Sequence, residues 1–264
     1  MLFTLKSTSE RLPFPIPFSL KREKILTITC RLSSTGKRVG AENCVIAAVN
    51  DGLWCQKADF HLPSCPEFEV FIVNMLMLRA KPSESWLPKV MANLDAVLVD
   101  HAHLERKAAT SALSLERYQE LFDRVADLNA IAIEELEHFQ LVLDILVDRG
   151  VPFSQPISSP WISGLMGTIR KGRQEQVIDH LLCAALIEGR SCEKFQLLAG
   201  ALAQVDAPLG KFYADLVESE GNHYAAYLLM AKEIDEAETN SRLDFYLDLD
   251  AELIRQSSDL PILH

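Results

Sequence analysis

Two Glu-x-x-His pairs stand in this sequence, Glu135 with His138 and Glu220 with His223. Residues three apart on an α-helix lie on one face, one turn apart, so each pair presents a carboxylate and an imidazole side by side. Two more glutamates precede them at similar distances: Glu105 lies 30 residues before Glu135, and Glu188 lies 32 before Glu220. The order is therefore Glu, Glu-x-x-His, Glu, Glu-x-x-His. Four carboxylates balance two divalent cations in formal charge. Set on four helices, this donor set has the chemistry of a di-iron or di-manganese carboxylate site.

The reading depends on which face the six residues occupy. Around Glu135 and His138 an apolar stripe runs Leu121, Val125, Leu128 and Ala132, then Phe139, Val142 and Leu146. Glu220 and His223 interrupt a stripe of Leu209, Phe212 and Leu216 that resumes at Tyr227, Leu228 and Ala231. Glu188 sits between Leu181, Ala184 and Phe195, Leu202; Glu105 sits between Leu94, Leu98 and Ala108, Ala112. A carboxylate that faces a core must be neutralised, paired or metal-bound, because burying it bare costs about several kcal/mol. Any one of these glutamates, taken alone, reads as a solvated surface residue. All of them on apolar stripes, in a repeated order, read as a metal site.

The elements that position them can be drawn from breakers and caps. There is no Gly from 53 to 149 and no Pro from 89 to 151. This predicts one helix over about 89–113 and a second over about 116–149, stopped by Gly150 and Pro152. The stretch VPFSQPISSPWISG reads as a long crossover loop. A third helix is predicted over about 174–205, and Asp206-Ala207-Pro208 opens a fourth that runs to about 236. A fifth, over about 240–257, carries Leu243, Tyr246, Leu247, Leu249, Leu253 and Ile254 and is expected to pack outside the bundle. The architecture expected is all-α: a ferritin-like four-helix bundle of two hairpins with a long crossover and an extra C-terminal helix.

Residues 1–84 differ from the rest and are expected to form an irregular N-terminal region before a helical domain at 85–264. The runs ILTITC and CVIAAV are candidate strands. The first 40 residues hold eight Lys/Arg and two Asp/Glu, a net of +6, so the remaining 224 carry −17 of the total −11. The region reads as a transit peptide (which would direct the protein to a plastid), a small accessory region, or sequence ahead of a true start near Met75 or Met77. Otherwise a cytoplasmic location is expected, since six Cys with no C-x-x-C pair do not suggest a disulfide framework. The longest apolar run near the middle, Val70 to Leu78, is nine residues and contains Asn74, far short of the roughly 20 that span a bilayer. An acidic body argues against broad nucleic-acid binding, so any RNA contact must use a local basic patch.

DHAHLERKAATSAL, EELEHFQLVLDILVDRG, ALIEGRSCEKFQLLA and FYADLVESEGNHYAAYLLMA resemble the ferritin-like tRNA hydroxylases that act on 2-methylthio-N6-isopentenyladenosine, the modified base beside the anticodon. The resemblance covers about residues 86–256, and the ALIEGRSCEKF block around Glu188 is its most specific part. It implies a non-haem di-iron monooxygenase with Glu105, Glu135, His138, Glu188, Glu220 and His223 as iron ligands and O2 as co-substrate. It also implies the tRNA anticodon loop as partner, together with an external electron donor such as a reductase or ferredoxin, because the chain has no G-x-G-x-x-G and no cluster-type Cys spacing. Arg190 and Glu193 match the family's motif on the third helix and are candidate neighbours of the ligands; being three apart, they also suit pairing with each other. His101, one turn before Glu105, is a further candidate neighbour. His103 is expected at the surface, His180 could face the core, and Tyr224 and Tyr227 are expected to pack near the site.

Arg106, Lys107, Arg170, Lys171 and Arg173, with Lys194 and Lys211, are the candidate contacts for the RNA backbone. Gly189, Gly221 and Asn222 depart from the family pattern beside the ligands. Gly in a helix interior costs about 0.5–1 kcal/mol relative to Ala, which puts helix order there in question. The alternative function is a ferritin-like iron-oxidising or iron-storage protein, which assembly size separates from an expected monomer or small oligomer.

Overall fold

The computed structural model describes residues 76–256 and 261–264, together with four strands nearer the N-terminus. The chain divides into two compact units, Met1–Cys65 and Pro66–His264. In the first, β1 (Leu5–Ser7), β2 (Ile25–Cys30), β3 (Glu42–Val49) and β4 (Gly52–Gln56) form an antiparallel sheet in sequential order. ILTITC and CVIAAV lie in β2 and β3. The transit-peptide reading falls largely on residues outside those described.

The described part of the second unit is all-helical: α1 (Trp86–Met91), α2 (Leu94–Leu115), α3 (Val125–Asp148), α4 (Pro160–Met166), α5 (Arg173–Leu202), α6 (Ala207–Ile234) and α7 (Glu236–Arg255). A 3-10 turn, Gln119–Arg124, leads into α3. α2 packs along α3 and α5 along α6, giving two hairpins that meet through α2 and α5. α7 lies against α4, α5 and α6 and buries Leu243, Tyr246 and Leu247.

Three boundaries differ from expectation. The first predicted helix is broken at Asn93, whose backbone leaves the helical region (φ −137°, ψ 37°) while its Nδ2 donates to the Lys89 carbonyl at 2.8 Å. That side chain offers the backbone an alternative to the helix ladder. The second helix starts at Val125, later than 116, because Tyr118 is extended and the next turn is 3-10. The crossover is not all loop: Ser159 accepts from Ile162 N, Pro160 takes the first helical position, and Trp161 and Leu165 of α4 are buried.

Other ends follow the sequence closely. Gly150 (φ 65°) ends α3 with Gly150 N donating to Val147 O and Val151 N to Leu146 O, the paired bonds of a Schellman cap. Asp206 caps α6 by accepting from Leu209 N. Gly189 and Gly221 lie inside continuous helices. At Gly189 a Cβ would sit 3.1 Å from the Tyr224 ring, so the missing side chain lets α6 approach.

Buried ion pairs join the layers. Asp250 on α7, fully buried, accepts from Trp161 Nε1 on α4 and from both Nε and Nη2 of Arg190 on α5. Asp179 accepts from Arg170 and Arg242. The C-terminal residues are tied in as well, with Leu263 N donating to Asp100 Oδ2 at 2.8 Å and Lys194 Nζ donating to Leu263 O.

The helical unit also draws on residues ahead of the expected boundary at 85. Leu76 and Leu78 are buried in the core, Leu76 O accepts from Tyr224 Oη, and Ala80 O accepts from Arg190 Nη1. A chain starting at Met75 is therefore expected to keep its helical circular dichroism and its metal. One starting at Trp86 loses two buried leucines, worth about 1.5–3 kcal/mol each, and is expected to melt at distinctly lower temperature.

Burial of Lys194 sets a pH dependence. Its ammonium is enclosed, lies over the rings of Trp86 (5.4 Å) and Trp161 (5.9 Å), and has its pKa pushed down to about 7 by burial. The unfolded value is about 10.4. Between the two the unfolded chain holds a proton that the fold does not, so this group makes stability rise with pH from about 7 to about 10, by at most about 1.4 kcal/mol per unit. Lys194→Met should remove that rise relative to wild type in urea titrations at neutral and alkaline pH.

Candidate metal centre

Each of the four long bundle helices contributes at one position or pair: Glu105 from α2, Glu135 and His138 from α3, Glu188 from α5, Glu220 and His223 from α6. All six are buried, none more than 7% exposed. They form two overlapping groups, Glu105–Glu135–His138–Glu220 and Glu135–Glu188–Glu220–His223, and within each group the ligand atoms lie within 4.8 Å of one another. Glu135 and Glu220 belong to both. The sequence symmetry thus becomes a spatial one, with two shared carboxylates at the centre and one Glu and one His at either end.

The imidazoles are aimed. His138 Nδ1 lies 3.7 Å from Glu105 Oε2, 3.7 Å from Glu220 Oε1 and 3.9 Å from Glu135 Oε2. His223 Nδ1 lies 2.7 Å from Glu135 Oε1 without hydrogen-bond geometry. Their outer nitrogens are engaged elsewhere. His223 Nε2 is 3.0 Å from Glu134 Oε2, and a carboxylate only accepts, so Nε2 carries the proton and Nδ1 keeps its lone pair. His138 Nε2 faces Ser219 Oγ at 3.5 Å, a hydroxyl whose own proton goes to Leu216 O at 2.9 Å. An outer partner that fixes the inward nitrogen is the usual support of a metal-bound histidine.

Residue types and charges test the fit to a metal. Glu135 Oε1 and Oε2, Glu220 Oε1, His138 Nδ1 and His223 Nδ1 are buried without a hydrogen-bond partner, a costly condition for five converging polar atoms. Burial, then the charges of Glu188 and Glu105 among others, pushes the Glu135 and Glu220 carboxyls well above the usual carboxylate range. Burial also opposes charge on Glu105, but the His101 imidazole, hydrogen-bonded to it, holds its carboxyl below that range. Divalent cations at the centre would supply both the missing partners and the missing charge. The residues present fit a metal pair.

The other expected site residues divide. His101 Nε2 meets Glu105 Oε1, and its ring stacks on Tyr213 at 5.5 Å. Arg190 and Glu193 pair with each other, and Arg190 also binds Asp250 and Ala80 O; these contacts fasten α7 to α5. His103 is buried, not at the surface: its Nε2 binds Ser154 O at 2.7 Å and its ring stacks on Phe153, anchoring the crossover. His180 is half-buried, 6.0 Å from the Tyr118 ring. Tyr224 and Tyr227 are buried, as expected, and Tyr227 Oη has no partner.

Among the basic candidates, Arg170 is held by Asp179 and Glu238, Lys194 is buried and Lys211 pairs with Asp215. Arg106, Lys107, Lys171 and Arg173 are exposed, with Arg106 against His103 Nδ1 and Arg173 against Glu120. Glu134 and Ser219 were not singled out from the sequence. Each immediately precedes a candidate ligand Glu and serves the His of the opposite pair, so the doubled Glu134-Glu135 was the available signal. Two surface clefts, of about 80 Å³ beside Trp86, Trp161 and His264 and about 220 Å³ beside Asp95, Val99 and Pro152, contain none of the six side chains.

Comparison with known proteins identifies the family. The family described as tRNA-(MS[2]IO[6]A)-hydroxylase (MiaE) matches residues 70–264. The tRNA 2-(methylsulfanyl)-N(6)-isopentenyladenosine(37) hydroxylase of Pseudomonas putida is 34% identical over 196 residues, covering 74% of this chain and 91% of that protein. The protein of the same name from Salmonella typhimurium is 34% identical over 136 residues, 52% of this chain and 48% of its own length. Among solved structures, a protein with aldehyde deformylating oxygenase activity from Synechococcus superposes with a TM-score of 0.63 at 32% identity, covering 71% of this chain and 94% of that one. With its family match spanning the whole helical part, this chain belongs to the tRNA-(MS[2]IO[6]A)-hydroxylase (MiaE) family.

Proposed function

We propose that the chain hydroxylates the isopentenyl side chain of 2-methylthio-N6-isopentenyladenosine next to the anticodon of tRNA, using O2 and two iron ions held by the six buried residues. The observation that carries the reading is the enclosed, doubly symmetric Glu/His cluster in a chain of this family. An iron pair bound there supplies O2 activation strong enough for an unactivated C–H bond, which acid–base side chains cannot break. The balance is one O2, two electrons and two protons per turnover, with one oxygen entering the C–H bond and the other leaving as water.

The chain's own residues hold and shield the centre. Glu134 keeps the His223 proton on Nε2, and His101 fixes Glu105. Burial of all six ligands keeps bulk water out. A base splayed from the single-stranded anticodon loop reaches the protein without breaking a pair. The electrons come from an external donor. No helix among the described residues is long and apolar enough to cross a membrane; a tRNA substrate is consistent with a cytoplasmic location.

The assay is iron-loaded protein with a chemical reductant, O2 and prenylated tRNA, followed by mass analysis of nucleosides. One added oxygen, labelled from O2 and not from water, is expected; no mass gain on verified substrate overturns the reading. Glu188→Ala should lose turnover while tRNA still binds. The Synechococcus neighbour motivates a second arm, a long-chain aldehyde under the same conditions. A very large assembly in solution would favour iron storage instead.

For RNA binding, Lys107 and Lys171 are exposed, whereas Arg170 is committed to Asp179 and Glu238. Lys107→Ala with Lys171→Ala is expected to weaken tRNA binding and to reduce the salt slope by about 1 for each phosphate that is no longer neutralised. Iron content should not change. Equal affinity and slope in filter binding would remove these two from the RNA contact.

A further inference from the structure

The outer face of α3 is left open by the fold. Ile133 is 59% exposed and Val147 76%, with Leu136 and Leu141 also exposed. At about 100° per residue these positions share the half of the helix opposite Glu135, Val142 and Leu146. Glu134, Glu137, Asp144 and Asp148 stand among them, all exposed. The whole of α3, Val125–Asp148, contains neither Lys nor Arg. An apolar surface set among carboxylates, with no basic residue on its own helix, repels a polyanion such as tRNA and suits a protein whose apolar contact is ringed by basic residues.

This face also lies one hydrogen bond from the centre. The Glu134 side chain is 47% exposed, and its Oε2 accepts from Nε2 of His223, whose Nδ1 points into the cluster. Two electrons must enter per turnover, and the sequence has no motif for a carrier of its own.

We infer that the outer face of α3 is the docking surface of the protein electron donor, a redox protein with Lys and Arg around its exposed redox centre, delivering electrons one at a time beside Glu134 and His223. The inference rests on the proposed hydroxylase reading for why electrons are needed. The charge, exposure and connection to the cluster stand without it.

Cytochrome c, a basic protein with an exposed haem edge, serves as the probe. It should bind the metal-free protein at low ionic strength, and Leu136→Lys with Leu141→Lys should weaken that binding by about 10-fold or more. In a second measurement, protein loaded with ferrous iron is mixed anaerobically with ferric cytochrome c. Each ferrous ion gives up one electron and reduces one haem, and the variant should slow this about 10-fold. Oxidation by a small neutral oxidant should keep its rate, showing an intact centre. Unchanged cytochrome binding and electron transfer in the variant would overturn the inference. So would a wild-type dimer that the variant dissociates, or a variant that instead loses tRNA. Failure of the hydroxylase reading shows separately, as absent product with a chemical reductant in place of any protein donor.

Discussion

Glu135→Gln is expected to reduce metal binding and turnover by more than about 100-fold, because changes to outer partners alone cost metal sites about 10–100-fold. Glu135 belongs to both ligand groups, so its loss damages both ends of the centre. Glu220→Gln should do the same, while Glu134→Ala, which only frees the outer nitrogen of His223, should fall within the smaller range. The metal-free proteins should behave differently. Glu135 is fully buried, and burial and the nearby carboxylates act against its charge. Glutamine keeps the shape and removes that cost, so the metal-free variant should melt at or above the wild-type temperature. Iron analysis with paired thermal melts reads both effects. A variant that keeps two ions, or one that is destabilised without metal, would count against the assignment.

Asp250→Ala is expected to cost about 3–5 kcal/mol, the penalty of leaving a buried charge without its partner. Arg190 has no solvent exposure, and Asp250 accepts from two of its nitrogens and from the Trp161 indole. Glu193 and the Ala80 carbonyl remain on Nη1 and cannot replace what is lost on Nε and Nη2. Because α4, α5 and α7 meet at this carboxylate, the variant should lose α7 packing before the bundle opens. Urea titration measures the loss, and hydrogen exchange should locate it in α7. Asp250→Leu with Arg190→Met and Glu193→Gln removes all three buried charges together and should recover part of the stability, since apolar residues often replace a buried pair at little cost. A small loss in Asp250→Ala would mean that Arg190 is adequately held by Glu193 alone.

These two sites differ in how far the sequence exposes them. Helical periodicity converts spacing into facing, so Glu105, Glu135, His138, Glu188, Glu220 and His223 could be placed on apolar stripes before any tertiary contact was known, and the structure brings those six side chains together. Gly150 with Pro152, and Asp206 with Pro208, marked helix ends for equally local reasons: a positive φ, a missing N–H, a carboxylate within reach of a free amide.

The rest depended on which segments meet. Arg190 and Asp250 are 60 residues apart, and His103 and Ser154 are 51 apart. Nothing along the chain distinguishes a buried, paired Arg190 or Arg170 from a solvated one. Nor does it distinguish the enclosed Lys194 from the exposed Lys107. Glu134 was hidden because it lies off the stripe and reaches His223, 89 residues away, only once α6 is alongside α3. The sequence by itself determined the candidate ligand set and the helices that carry it, because their common facing follows from about 3.6 residues per turn. The folded structure decided the partner of each buried charge, because Coulomb and desolvation energies depend on distances in space that chain separation does not set.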